Sequence, residues 1–228
     1  NFVRAVEDGR TNLLMYAVMR FGKSFTSLSC ANAIEAKTVL IVSAKADVRS
    51  EWKKTVETAG NFANWAFIDQ SDLTRDEHIL DKAREAGHTT AVFLTLQDLQ
   101  GTQLKEKHRQ VFASELDLLI VDETHFGARA EEYGRVLRNA GQPRDPVAAQ
   151  RRDLDDQVDV EEVDLQLKQF EPRIRLHLSG TPYRILMGSE FQPEDIVSFV
   201  QFSDIVREQE AWDAAHLDDD TEEWDNPY

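Results

Sequence analysis

The sequence predicts an α/β fold in which helices cover both faces of a mostly parallel β-sheet. Short apolar runs of strand length alternate along the chain with longer stretches that have helical spacing. The apolar runs are continuous rather than alternating, which is typical of strands buried on both faces. Right-handed crossovers between such strands place them side by side in the same direction.

Six strands and five helices are predicted in this order. The strands are apolar along nearly their whole length and lie at Asn12–Val18, Thr38–Ser43, Trp65–Asp69, Thr90–Leu96, Leu116–Asp122 and Ile174–Ser179. The helices connect them or follow them and lie at Lys23–Ala36, Ala46–Ala59, Arg75–Ala86, Gln97–Ala113 and Ala128–Ala140.

Composition bounds the class of protein. The chain has 228 residues, 41% hydrophobic and 30% charged, which suits one large α/β core with appendages. The longest apolar run, Leu13–Met19, is far shorter than the roughly 20 residues that span a bilayer, so no membrane span is predicted. The single cysteine, Cys30, excludes an internal disulfide and fits a reducing cytoplasm, where we expect the protein to be. The opening residues lack an initiating Met and a signal core, which indicates a piece of a longer chain.

Charge is distributed unevenly along the chain. The net charge is −16, but residues 1–140 carry 18 basic and 20 acidic side chains, whereas residues 141–228 carry 8 and 22. A nearly neutral first part can hold a local basic strip, so the total charge does not exclude a nucleic-acid partner.

The distribution of acidic residues indicates how the chain is organised. Residues 1–203 are predicted to form one lobe, with 141–172 as an acidic insertion or mobile loop, and residues 204–228 form an acidic extension with ten acidic residues and one basic residue. The charge run at 141–172 favours a solvated surface segment over a binding element.

The segment "AVMRFGKSFTS", residues 17–27, turns from an apolar strand into a helix at one glycine. Amide groups at a helix N-terminus can bind phosphate, Lys23 can reach the β and γ phosphates, and Ser24 can ligate Mg²⁺. Ala17 and Arg20 depart from the fuller G-x-x-x-x-G-K-[ST] loop, because glycines are usual there. Taken alone, the segment is either a phosphate cradle or a plain strand-to-helix turn.

The segment "LDLLIVDETHFGA" delivers Asp122 and Glu123 to the carboxyl end of a buried strand. In an open α/β sheet that edge binds ligands. Two adjacent carboxylates suit phosphoryl transfer, since one can hold the Mg²⁺ shell while the next orients or deprotonates water. A polar strand end would explain this pair alone, but the preceding Gly-Lys-Ser turn favours two halves of one site.

A third apolar strand, in "RIRLHLSGTPYRIL", ends at Ser179 and is followed by Thr181. Small hydroxyl residues at this edge can link neighbouring site residues by hydrogen bonds. By itself the Ser-Gly-Thr-Pro sequence is an ordinary turn, and only its position after the other two segments favours a function.

Five motifs in order resemble the first RecA-like lobe, a P-loop NTPase lobe, of superfamily 2 helicases and translocases, particularly the DEAH-type motors of bacterial restriction and related DNA-processing enzymes. They cover residues 11–182 and read "AVMRFGKS" (motif I), "LIVSAKADVRSEW" (Ia), "VFLTLQDL" (Ib), "VDETH" (II) and "SGTP" (III). Motifs I and II are the specific ones.

The resemblance implies ATP and Mg²⁺ as cofactors and an ATP hydrolase in the longer protein, the isolated fragment being inactive. In that family, Gly22, Lys23 and Ser24 would bind the phosphates and Mg²⁺, Asp122 would hold Mg²⁺ through water, and Glu123 would activate the attacking water. The predicted ATP-binding residues are Ala17, Arg20, Phe21, Gly22, Lys23, Ser24 and Phe25.

The same resemblance implies residues that couple and residues that bind nucleic acid. His125, Ser179 and Thr181 would couple the ATP state to lobe movement. The predicted nucleic-acid contacts follow the second and fourth predicted strands, at Ser43, Ala44, Lys45, Thr95 and Gln97. The implied partners are DNA, with RNA left open, and a second RecA-like lobe of the same longer chain, beyond the acidic extension, that would supply an arginine finger.

Two classes of function remain after this comparison of motifs. The leading hypothesis is the ATP-binding lobe of a DNA helicase or translocase in a restriction-type or DNA-processing protein. The alternative is a non-catalytic nucleotide-binding or protein-interaction domain, which would have no need of Glu123 beside Asp122. A small-molecule kinase or GTPase is disfavoured, because the sequence has no N-K-x-D motif and no arginine-rich lid.

Overall fold

The computed structural model describes residues 1–18, 22–99, 106, 108–122, 167, 169–180 and 191–215. Within these residues seven strands form one sheet in the order β3-β4-β2-β5-β6-β1-β7, and every neighbouring pair is parallel. The strands are β1 Asn12–Ala17, β2 Thr38–Ser43, β3 Trp65–Asp69, β4 Thr89–Thr95, β5 Leu118–Asp122, β6 Ile174–Ser179 and β7 Ile196–Val200. The predicted α/β class with a parallel sheet is confirmed.

Seven helices are described around this sheet. They are α1 Phe2–Glu7, α2 Lys23–Ala33, α3 Arg49–Thr58, α4 Gln70–Arg75, α5 Ile79–Glu85, α6 Arg109–Ala113 and α7 Phe202–Ala215, with 3₁₀ turns at Gly60–Phe62 and Pro193–Asp195. The helix α7 has no buried residue in the described structure. None of the described helices combines the length and the apolar character that a bilayer crossing requires.

The core forms two layers, one on each face of the sheet. On one face, Leu13 and Ile41 belong to a buried cluster that includes residues of α1, α2 and α3. On the other face, Leu40 belongs to a second cluster that includes residues of α4, α5 and α6. Every residue of β2 is buried, as expected for a central parallel strand with helices on both faces.

One predicted helix is wrong in its boundaries. Most of the helix expected at Arg75–Ala86 is α5, whereas Arg75 is the last residue of α4, and residues 76–78 separate the two helices. The reason is that α4 begins earlier, at a capping box in which the Asp69 carboxylate accepts hydrogen bonds from the Ser71 and Asp72 amides. Asp76 then adopts an extended backbone and ends the helix.

Other elements were missed or lie partly outside the described residues. The helix α1, the strand β7 and the helix α7 were not predicted. Of the helix expected at Gln97–Ala113, the described residues show a turn at Gln97–Leu99 and helix at Glu106 and in α6, and residues 100–105 and 107 lie outside them. The helix expected at Ala128–Ala140 and the insertion at 141–172 fall almost wholly outside the described part of the chain.

The Asp69 cap gives a stability prediction. Burial opposes ionisation of Asp69, but hydrogen bonds from Ser71 and Asp72 and the charge of Arg49, 3.3 Å away, lower its pKa below the ordinary value. We expect Asp69→Ala to destabilise the domain by about 1 kcal/mol in urea unfolding at neutral pH. Asp47→Ala, at an exposed residue, is the control. Because the folded-state pKa is depressed, the difference should shrink as the pH falls through that pKa, and a constant difference would contradict this account.

Candidate functional site

The turn between β1 and α2 contains the predicted phosphate loop. Gly22 precedes α2 with a φ of 78°, in the left-handed region that glycine adopts without strain. No atom lies near the place where a Cβ would project, so the backbone conformation alone explains the glycine. Residues 19–21, and with them the predicted Arg20 and Phe21, lie outside the described residues.

The first turn of α2 is suited to an anion. It carries no acidic side chain, Gly22 has no side chain to cap it, and the amides of residues 23–25 have no acceptor among the described residues. The Lys23 ammonium donates to the main-chain oxygen of Ala17 at 3.4 Å, so the lysine side chain reaches back to the end of β1. An ammonium has three donors, so this bond leaves further donors for an anion.

Ser24 has a partner that the sequence did not predict. Its side chain is buried, and its hydroxyl donates to Glu51 Oε1 of α3 at 3.0 Å. Glu51 belongs to the "LIVSAKADVRSEW" segment, but it was not proposed as a site residue. The available signal was an acidic residue in the first turn of a helix that follows a strand ending at the same edge.

Asp122 lies at the end of β5, beside the end of β2. The hydroxyl of Ser43 donates to Asp122 Oδ2 at 3.3 Å, and the two residues are register partners. Ser43 is fully buried and its hydroxyl is bonded to this carboxylate, and the contact with nucleic acid predicted at Ser43 stays a prediction. Glu123 and His125 lie outside the described residues.

The parallel sheet brings these strand ends to one edge. Asp122 pairs in register with Leu178 of β6, and Ser179 pairs with Tyr16 of β1. Since β6 alone separates β1 from β5, their ends lie two strand spacings, roughly 10 Å, apart. Ser179 is buried at this edge, between the two halves of the predicted site. Thr181 lies outside the described residues.

The predicted nucleic-acid contacts lie at the neighbouring strand ends. Lys45 and Gln97 are exposed. The Thr95 hydroxyl donates to Asp98 Oδ2 at 2.8 Å and also accepts from the Asp98 amide at 3.2 Å, so it stabilises its own turn. A main-chain hydrogen bond connects the ends of β2 and β4, because the Leu96 amide donates to the Ser43 main-chain oxygen at 3.0 Å. Lys45 and Gln97 are therefore the better placed side chains for an external ligand.

Phe25 lies in the first turn of α2 and is 43% exposed. Its ring packs edge-on against Phe62, with 5.6 Å between ring centroids, and Phe62 packs in turn against Trp65. These contacts direct the ring toward the 3₁₀ turn at Gly60–Phe62. The predicted role of Phe25 in ATP binding stays a prediction, for which its main-chain amide in the first turn of α2 is one donor.

One cleft of the described structure lies away from this edge. It has a volume of about 460 Å³ and is lined by α1, Arg10 and the start of β7. Arg10 is already paired there with Asp195 at 2.6 Å. Because the catalytic edge of a parallel sheet is the carboxyl edge, we assign the site from its side chains and not from cleft size.

The side-chain oxygens at the carboxyl edge are suitable ligands for a Mg²⁺ ion that is bound together with a nucleotide. Mg²⁺ prefers oxygen ligands and takes only one or two from the protein, keeping waters and phosphate oxygens for the rest. The Ser24 hydroxyl and the Asp122 carboxylate supply oxygens of that kind. No cluster of three metal-ligating side chains occurs among the described residues.

Comparison with known proteins yields two findings. The family described as "Type III restriction enzyme, res subunit" matches residues 1–184 of this chain. A Mycoplasma pneumoniae protein, named as a candidate type II restriction enzyme and methyltransferase (RM.MpnORF110P, C-terminus), is 29% identical over 216 residues. That alignment covers 87% of this chain but only 29% of the relative, so the chain spans less than a third of that protein's length.

Proposed function

Since this chain belongs to the type III restriction enzyme res subunit family, we propose that it is the ATP-binding lobe of a DNA helicase or translocase motor within a longer, restriction-type protein. One observation carries the proposal. The Lys23–Ser24 turn and the Asp122 carboxylate, the two chemically specific motifs, lie at the same carboxyl edge of one parallel sheet.

The roles of the binding residues follow from their positions. The first-turn amides of α2 and the Lys23 ammonium would hold the ATP phosphates, since both offer donors at the end of β1. Ser24 and Asp122 would hold Mg²⁺, which supplies charge neutralisation on the phosphates when it is bound. Ser43 would orient the Asp122 carboxylate through the bond described above.

ATP hydrolysis requires one further group, a base for the attacking water. Glu123 would accept the proton of the attacking water, because it directly follows the residue assigned to the metal. Ser179, buried between the two halves, would transmit changes at the nucleotide to the sheet edge. His125 and Thr181 are proposed for the same coupling on the basis of their motifs.

DNA is proposed as the polymer on which the motor acts. The support is the restriction-type family and the exposed Lys45 and Gln97 beside the nucleotide edge. The contact would be made largely through the phosphate backbone, so its strength would fall with salt. A second RecA-like lobe of the longer chain would complete both the ATP site and the DNA track.

The test of the proposed ATP site is substitution of Lys23. We expect Lys23→Ala to weaken Mg²⁺-ATP binding about 10- to 100-fold in calorimetric titration of the chain, because charge-assisted hydrogen bonds to the phosphates are lost. Lys37→Ala is the matched control, since Lys37 is an exposed lysine that precedes β2 at the opposite edge of the sheet. It should bind as the wild type does.

Two outcomes would count against this assignment. Equal affinity in wild type and Lys23→Ala would show that the phosphates do not bind at this turn. Absence of any ATP binding by the wild-type chain, with the fold intact by circular dichroism, would favour a protein-interaction domain instead.

A further inference from the structure

We propose that Glu51 is a positioning residue for Ser24 and thereby sets the Mg²⁺ dependence of nucleotide binding, an inference that rests on the function proposed above. The Ser24 hydroxyl donates to Glu51 Oε1 at 3.0 Å, across the packing of α2 against α3. Neither the sequence motifs nor the comparisons assign Glu51 a role.

The bond determines what the Ser24 oxygen can offer. A serine hydroxyl has one proton and two lone pairs, and donating the proton to a carboxylate leaves both lone pairs to accept or to ligate. Ser27, one turn further along α2, shows the alternative. Its hydroxyl donates to the main-chain oxygens of Lys23 and Ser24, at 2.7 and 3.1 Å, and so bonds back into its own helix.

Glu51 is not part of the buried core. It is exposed, and two of the basic side chains of its own helix are engaged elsewhere, Arg49 with Asp69 and Lys53 with Glu57. A single hydrogen bond from a neutral hydroxyl to an exposed carboxylate contributes little to stability. The geometry therefore suits orientation of Ser24 better than support of the fold.

The chain segment that contains Glu51 also hydrogen-bonds to the other proposed metal residue, Asp122. Residues 43–51 run from the end of β2 into α3, and Ser43, at their start, donates to Asp122. Ser24 and Asp122 are thus each bonded to one stretch of chain, at its two ends. Outer-shell partners of this kind usually change metal affinity or activity 10- to 100-fold when they are removed.

The experiment measures ATP binding by calorimetry over a series of Mg²⁺ concentrations, with no turnover needed. We expect Glu51→Ala to raise the Mg²⁺ concentration for half-maximal enhancement about tenfold, while ATP affinity without Mg²⁺ stays unchanged. Glu51→Gln, which keeps an acceptor oxygen, should recover part of the loss. Glu57→Ala, an exposed glutamate on the same helix, should behave as wild type.

A double variant tests whether Glu51 acts through Ser24. In the Ser24→Ala background, Glu51→Ala should cause no further change, because the hydroxyl that it orients is gone. Additive losses would overturn the proposal, as would a Glu51→Gln variant no better than Glu51→Ala. If wild-type binding responds to Mg²⁺ and to Lys23→Ala but not to Glu51→Ala, this inference alone fails. If wild-type binding responds to neither Mg²⁺ nor Lys23→Ala, the proposed ATP site itself fails.

Discussion

Glu123→Gln, made in the longer protein proposed to contain this chain, is expected to lower ATP turnover by about 10²- to 10⁴-fold while leaving ATP binding intact. Gln keeps the size and hydrogen-bonding reach of Glu but cannot take the proton of the attacking water. Lys23, Ser24 and Asp122 are unchanged in this variant, so the proposed contacts to phosphate and metal remain. The measurements are steady-state ATP hydrolysis with DNA present and calorimetry of ATP binding.

Glu115→Gln is the control for that variant. Glu115 is an exposed glutamate just before the opposite end of β5, so its substitution should leave both turnover and binding as they are. Near-wild-type hydrolysis by Glu123→Gln would mean that the Asp-Glu pair is only a polar strand end. Loss of binding together with turnover would mean that Glu123 supports the site and is not its base.

Leu40→Ala is expected to destabilise the domain by about 2–5 kcal/mol. Leu40 lies in the central strand β2, is fully buried, and belongs to the cluster that joins the sheet to α4, α5 and α6. Truncation removes buried apolar surface and leaves a cavity, and β2 cannot shift to fill it because it is hydrogen-bonded to β4 and β5 on either side. Urea unfolding followed by circular dichroism measures the change.

Leu40→Met is the matched control for the core, because it nearly conserves volume and should cost less than about 1.5 kcal/mol. Val3→Ala, at an exposed position of α1, should change stability very little. A loss for Leu40→Ala no larger than that for Val3→Ala would show that β2 is not the centre of the folded core.

The strands were predicted best where polar residues clearly mark both ends of an apolar run. The bounds of β2, β3 and β6 match the expected ranges residue for residue. The strand β7 was missed because Ser198 interrupts its apolar run of five residues, and it lies at an edge of the described sheet, beside β1. A pattern of apolar residues cannot distinguish such a segment from a loop.

The site was predictable as a pair of motifs but not as a set of contacts. Lys23 and Asp122 could be placed at strand ends because each stands where an apolar run gives way to polar residues, and the parallel sheet brings those ends together. The Ser24–Glu51 and Ser43–Asp122 bonds join residues 27 and 79 positions apart. Such partners depend on how α3 packs against α2 and on strand order, which no local pattern encodes.

The strand order has a consequence for synthesis on the ribosome. The strand β1, which leads into the proposed phosphate-binding turn, has β6 and β7 as its neighbours, and these are the last two described strands to be translated. At about 5–20 residues per second, β1 waits on the order of ten to thirty seconds for its first partner. During that time its apolar residues have no sheet to join, whereas β2, β3 and β4 can already pair. The proposed nucleotide site is therefore among the last of the described parts of this domain that can form in the nascent chain.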